Sequence, residues 1–177
     1  VTCRDWFQLS LKEGFTVFRD SEFSAAMNSR DVKRIEDVDA LRTVQFAEDA
    51  SPLAHAVRPS SYIEISNFYT TTIYEKGAEV VRMLSIMLGR DKFRAATDLY
   101  FARHDGSAAT TEDFVVAMEE VSGLDLNQFR NWYSQAGTPL VEVEESHRRS
   151  TIELHLRQIC GPSPNQPAKS AFHIPIA

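Results

Sequence analysis

Two residues carry the sharpest chemical signals in this chain, a glutamate at position 13 and a tyrosine at position 74. From Gln8 to Met27 the apolar residues recur at helical spacing. Leu11, Phe15 and Phe18 form one row, and Leu9 and Val17 form another with Glu13 between them. A helix that is apolar on two sides is buried, and a carboxylate there is costly unless it is paired or binds a metal. Glu13 therefore calls for a cation. A salt bridge to a lysine or arginine is the commoner answer, and a metal ion is the rarer one. Tyr74 lies beside a charged row made by Glu75, Glu79 and Arg82. A phenol can donate a hydrogen bond to a developing oxyanion. The simpler role is a boundary tyrosine whose hydroxyl finds a carbonyl.

The elements that must position these two residues are mostly helices. The first spans Gln8 to Met27, and the second spans Asp31 to Phe46, with Val32, Ile35, Val38, Leu41 and Val44 at three-residue spacing. Residues 47–61 read as a polar connection. A third helix is predicted from Asn67 to Leu88, with Gly89 placed to end it. A fourth covers Lys92 to Arg103. Thr110 and Asp113 have the spacing of a capping box for a fifth helix ending at Val121, with Gly123 as its stop. Asp125 is placed to cap a sixth, Leu126 to Gln135. After Pro139 the period changes to two. Val141 and Val143 alternate with glutamates, Ile152, Leu154 and Leu156 alternate with polar residues, and Phe172 to Ile176 is a third candidate strand. The chain thus divides into a helical part, residues 1–138, and the start of a β-domain, residues 139–177.

Composition narrows the field further. The 177 residues are 43% hydrophobic and 25% charged, as in a water-soluble domain with a core. A net charge of −6 argues against nucleic acid or an anionic membrane as partner. Cys3 and Cys160 stand far apart with no CxxC pair, which speaks against a zinc finger and for a reducing, cytoplasmic setting. No apolar run is long enough to span a membrane. The opening Val1-Thr-Cys-Arg-Asp-Trp6 reads like the middle of a longer protein, so the chain is expected to be truncated.

Four segments together resemble the aminopeptidase N family of gluzincin zinc peptidases, in its bacterial form. They are Asp5-Trp-Phe-Gln-Leu-Ser-Leu-Lys-Glu-Gly14, Asn67-Phe-Tyr-Thr-Thr-Thr-Ile-Tyr-Glu-Lys-Gly-Ala78, His104-Asp-Gly-Ser-Ala-Ala-Thr110 and Trp132-Tyr-Ser-Gln-Ala-Gly-Thr-Pro139. The resemblance implies a mainly α fold: the helical second half of a thermolysin-like zinc peptidase catalytic domain, then the first strands of a β-sandwich domain. It implies that Glu13 is the third zinc ligand and that Tyr74 is the catalytic stabiliser of the tetrahedral intermediate. It implies that Tyr69 lines the pocket for the substrate's first residue, and that Glu75 sits just outside the metal's own ligands. A catalytic zinc takes three protein ligands and leaves one position for water. The substrates implied are peptides with a free N-terminus, and the remainder of the parent chain is a necessary partner.

The family's HExxH motif is missing. None of the five histidines, His55, His104, His147, His155 and His173, stands four residues from another. At the family's spacing, the second ligand histidine falls about six residues before Val1. One zinc per parent molecule is implied, with the site incomplete in this chain, so the isolated chain is expected to be inactive. Two other readings stand beside this one. One is a non-catalytic scaffold or peptide-binding relative, which would need neither Glu13 nor Tyr74. The other is an epoxide hydrolase relative on the same scaffold. Trp6, Phe7 and the apolar rows of the first helix are expected to leave an exposed apolar patch on the chain alone.

Overall fold

The computed structural model describes residues 1–176. A short helical turn, Trp6–Gln8, leads into α1, Leu9–Met27. Helix α2, Arg30–Ala40, starts at Ser29, whose hydroxyl accepts the Val32 N–H, and passes through a π-helical turn, Leu41–Gln45, into α3, Phe46–Asp49. A second π-helical turn, Thr72–Lys76, opens α4, Gly77–Leu88. Then follow α5, Arg90–His104, α6, Thr111–Ser122, and the short α7, Asn131–Ser134. Strand β1, Thr2–Cys3, pairs in parallel with β2, Ala108–Ala109. Strands β3, Leu140–Arg148, and β4, Thr151–Ile159, form an antiparallel hairpin.

The caps of α6 are as the sequence predicts. Thr110 and Asp113 complete a reciprocal capping box on α6, and Gly123 ends that helix in the left-handed region at φ 74°. The core gathers α1, α4, α5 and α6 around Leu84, Phe114, Met118 and Phe129. Gln8 ties its two ends together. Its buried side-chain carbonyl accepts both the N–H (3.0 Å) and the hydroxyl (3.2 Å) of Thr111, fixing the start of α1 against the start of α6.

Three predicted elements come out differently. The third helix begins at Thr72 rather than Asn67. Residues Ile65–Phe68 make a separate tight turn, and the chain leaves helical geometry at Tyr69 (φ −82°, ψ 71°). Phe68 instead goes into a small core with Leu9 and Ile73. The sixth helix shrinks to Asn131–Ser134. The chain enters it in a tighter winding, with Asn131 bonding back to Gln128, Trp132 to Phe129 and Tyr133 to Arg130. The Asp125 carboxylate caps only the Asn127 N–H. The third strand does not form. The Gln158 side-chain amide takes both the N–H and the C=O of Phe172 at 2.8 Å, so no ladder partner is left for that residue. Residues 172–174 dock on α7 through the Trp132–Phe172 ring contact (4.4 Å) and the Trp132 indole N–H to the His173 carbonyl (2.7 Å).

Candidate active site

Glu13 and Tyr74 arrive from elements sixty residues apart in sequence, and two glycines let those elements touch. Gly14 on α1 lies against Gly77 at the junction of the second π turn and α4, backbone to backbone. A methyl built on Gly14 would meet the Gly77 carbonyl carbon at 2.6 Å and its Cα at 2.9 Å. Each glycine is sequence-adjacent to, or within one turn of, a residue singled out above.

The turn that carries Tyr74 is wider than an α-helical turn. The Gly77 N–H reaches back to the Thr72 carbonyl, five residues away, while the Tyr74 N–H bonds Thr70. Such single π turns are often found at functional sites. Its start is held by α3. The Glu48 carboxylate accepts the otherwise orphaned Thr72 N–H at 2.8 Å as well as its hydroxyl, and the Gln45 amide donates to the same hydroxyl at 3.3 Å. Its end is held by a buried ion pair. Lys76 Nζ lies 2.6 Å from Asp49 Oδ2 and donates to the Gly137 carbonyl at 3.0 Å. The Asp49 carboxylate also accepts the Gly137 N–H and the Thr138 hydroxyl. Burial alone would raise the Asp49 pKa, but Lys76 and these donors hold it below the ordinary carboxylate value.

Around Tyr74 the groups converge. Loss of water pushes its phenol up, and the Glu13 carboxylate beside it pushes further in the same direction. The protonated phenol is therefore the form the site favours. The Tyr69 ring is tilted by 38° against that of Tyr74, with centroids 6.4 Å apart, and Tyr69 is half exposed. Glu13 is half-buried, and its near cation is Lys12, at 3.2 Å, whose side chain is mostly in solvent. An ion pair open to solvent on one side contributes little, so Lys12 leaves the carboxylate available to a stronger cation.

Glu75 is not in this group. It turns toward α2, where burial first and then the Asp37 carboxylate push its pKa up, against the pull of Lys33. The neighbouring Glu79 is clamped there by Arg34 (2.6 Å) and Arg82 (3.1 Å). The structure thus brings Glu13, Tyr74 and Tyr69 together and sends Glu75 to the opposite side of the turn.

The residues that fix the turn escaped sequence reasoning. Lys76 could have been found by the argument that singled out Glu13, since it is a charge inside a buried run between Ile73 and Val80. Asp49 and Glu48 sit in what reads as a polar connection, and only tertiary contact pairs them with the turn. His55, in the same connection, bonds the Thr70 hydroxyl at 2.9 Å and the Ala56 carbonyl at 2.8 Å. No sequence signal marks it.

A catalytic zinc needs three protein ligands. Among the described residues, no group of three or more His, Cys, Asp or Glu side chains could hold a metal ion. The donors among the described residues therefore do not fit a zinc ion by themselves. No helix among the described residues is long and apolar enough to cross a membrane.

This mainly helical scaffold brings the Glu13 carboxylate and the Tyr74 phenol together where α1 touches the start of α4. It superposes on the crystal structure of Legionella pneumophila aminopeptidase A in complex with aspartic acid, with a TM-score of 0.77 and 32% identity, over 89% of this chain and 18% of that one. The chain belongs to peptidase family M1, whose domain matches residues 1–133. It is 56% identical to aminopeptidase N of Escherichia coli (strain K12), covering 100% of this chain and 21% of that protein. It is 63% identical to aminopeptidase N of Caulobacter vibrioides, over 83% of this chain and 17% of that protein. The chain thus spans about a fifth of the length of these relatives.

Proposed function

We propose that the chain is part of a zinc-dependent aminopeptidase that releases N-terminal residues from peptides with a free N-terminus. The observation that carries this reading is the juxtaposition of Glu13 and Tyr74 in a chain of this family. Glu13 supplies one ligand to a single zinc ion per parent molecule, and the other two come from residues outside this chain. Zinc, when bound, supplies a Lewis acid for the peptide carbonyl. Tyr74 donates its hydroxyl hydrogen to the carbonyl oxygen as negative charge develops there. Only a protonated phenol can do this, and the surroundings of Tyr74 favour that form. Tyr69 forms a wall for the substrate's first side chain. Glu75, beside Asp37 of α2, acts only from outside the metal's own ligands. We infer a cytoplasmic setting from the two unpaired thiols, Cys3 and Cys160. We place a domain boundary after residue 138, supported by the end of the family match at residue 133 and the change from helix to strand at Leu140.

The test uses the full-length protein. Tyr74→Phe is expected to lower kcat roughly 10²–10³-fold with KM nearly unchanged, the signature of an interaction made in the transition state. Full activity in that variant would overturn the role of Tyr74. Glu13→Gln is expected to abolish stoichiometric zinc. The isolated chain is expected to hold no stoichiometric zinc and to cleave no amino-acid anilide. One zinc per chain with activity above background would refute that.

A second reading, a non-catalytic scaffold, has one observation in its favour. Glu13 has a cationic partner within the chain, the Lys12 ammonium at 3.2 Å. A full-length protein that holds no stoichiometric zinc and cleaves no amino-acid anilide would decide for the scaffold.

A further inference from the structure

We propose that the Gly14–Gly77 contact is the device that sets the spacing of Glu13 and Tyr74, making both glycines positioning residues for the reaction. This inference rests on the roles given above to Glu13 and Tyr74.

Neither glycine is needed for its backbone conformation. Gly77 sits at φ −56°, ψ −43°, an ordinary right-handed helical geometry open to any residue. Gly14 lies inside α1, more than a turn from either end. Glycine at such positions weakens a helix relative to alanine. Gly123, by contrast, occupies a left-handed position at φ 74° that favours glycine. Two unforced helix glycines that meet each other mark a place where backbones must approach closely.

The contact also has direction. Glu13 immediately precedes Gly14, and Tyr74 lies within one turn before Gly77, so a displacement at the contact is passed straight to both functional groups. The two sides do not yield equally. The π turn is pinned from behind by the buried Lys76–Asp49 pair and by Glu48 on Thr72. A side chain added at the contact must therefore move α1, and Glu13 with it, away from Tyr74. The required movement differs between the two positions. A Cβ on Gly14 meets only backbone, at 2.6, 2.9 and 3.0 Å. A Cβ on Gly77 meets the Gly14 Cα at 3.3 Å and the Ser10 Cβ at 3.5 Å, so a few tenths of an ångström of adjustment is enough.

The experiment compares Gly14→Ala and Gly77→Ala with the Tyr74→Phe and Glu13→Gln variants in the full-length, zinc-loaded protein. The readouts are kcat and KM separately, zinc affinity by competition with a chelator, and the melting temperature. A misplacement near 1 Å at a reacting centre costs about 10²-fold. Gly14→Ala is expected to lose kcat on that scale, with KM little changed and zinc held more weakly. Gly77→Ala is expected to lose roughly threefold, on the smaller displacement. A merely structural role would lower the melting temperature and leave kcat per folded molecule intact. A folded Gly14→Ala with unchanged kcat and zinc affinity overturns the inference. Should Gly14→Ala fail to fold, Gly77→Ala decides: a lowered kcat at unaltered melting temperature supports positioning, and an unaltered kcat overturns it. If Tyr74→Phe and Glu13→Gln lose neither activity nor zinc, the functional reading itself falls. If they do lose them while the glycine variants do not, only the positioning inference falls.

Discussion

The Tyr74 turn and the β3–β4 hairpin contrast sharply, although each is a short element joined to the same helical body. The turn is fixed from three directions: α1 touches it at Gly77, Glu48 holds its first residue, and Asp49 holds Lys76. The hairpin satisfies its backbone ladder from Leu140–Ile159 to Arg148–Thr151, yet it leaves Val143, Ile152, Leu154 and Leu156 exposed on one face. A hydrogen-bonded ladder is thus not enough to bury a region. Burial with satisfied charges makes a place where atoms can be held to fractions of an ångström, and the turn has it while the hairpin does not.

Breaking the buried pair should have the largest effect on stability. Lys76→Met leaves the Asp49 carboxylate buried and unpaired, and a loss of about 3–5 kcal/mol is expected from chemical denaturation. Replacing both partners, as in Asp49→Leu with Lys76→Met, should recover much of that loss, because the uncompensated charge is then gone. Failure of the double variant to recover would show that the contacts of Asp49 with Gly137 and Thr138 matter more than the ion pair.

The same pair should set an acid limit. The Asp49 carboxyl is held below its ordinary value in the fold. A depressed carboxylate contributes stability that is fully present above its unfolded pKa, about 4, and is lost as pH falls through the lower folded value. Stability measured by urea midpoint should therefore drop on acidification below about pH 4. Asp49→Asn should flatten that part of the profile.

Smaller effects sharpen the contrast. Thr110→Ala removes the capping box of α6 and should cost about 1 kcal/mol. On the hairpin, Ile152→Ser should change stability by less than about 0.5 kcal/mol, because the side chain is already 62% exposed. The same variant should reduce binding of a hydrophobic dye to the isolated chain, as the exposed face loses apolar area. A large loss of stability from Ile152→Ser would mean that this face is covered after all.

Local order was legible in the residues alone. Helical spacing located α1, α4, α5 and α6, the Thr110–Asp113 spacing gave the cap, and the switch to period two at Val141 gave the hairpin. These follow from the 3.6 and 2.0 residue repeats and from cap chemistry, which act over a few residues. Glu13 was visible as a charge on an apolar row. What its surroundings are was not visible, since Lys12 and Tyr74 reach it from different distances along the chain. Only the tertiary structure decided that Glu75 faces α2 while Tyr74 faces Glu13, because successive helical side chains diverge by about 100° and packing chooses which neighbour each one meets. Only it paired Lys76 with Asp49, twenty-seven residues away. Only it denied residues 172–176 a strand, by giving the backbone of Phe172 to the Gln158 amide. Each of those outcomes is a competition between distant groups for one hydrogen bond or one space. No periodicity records such a competition, and packing alone resolves it.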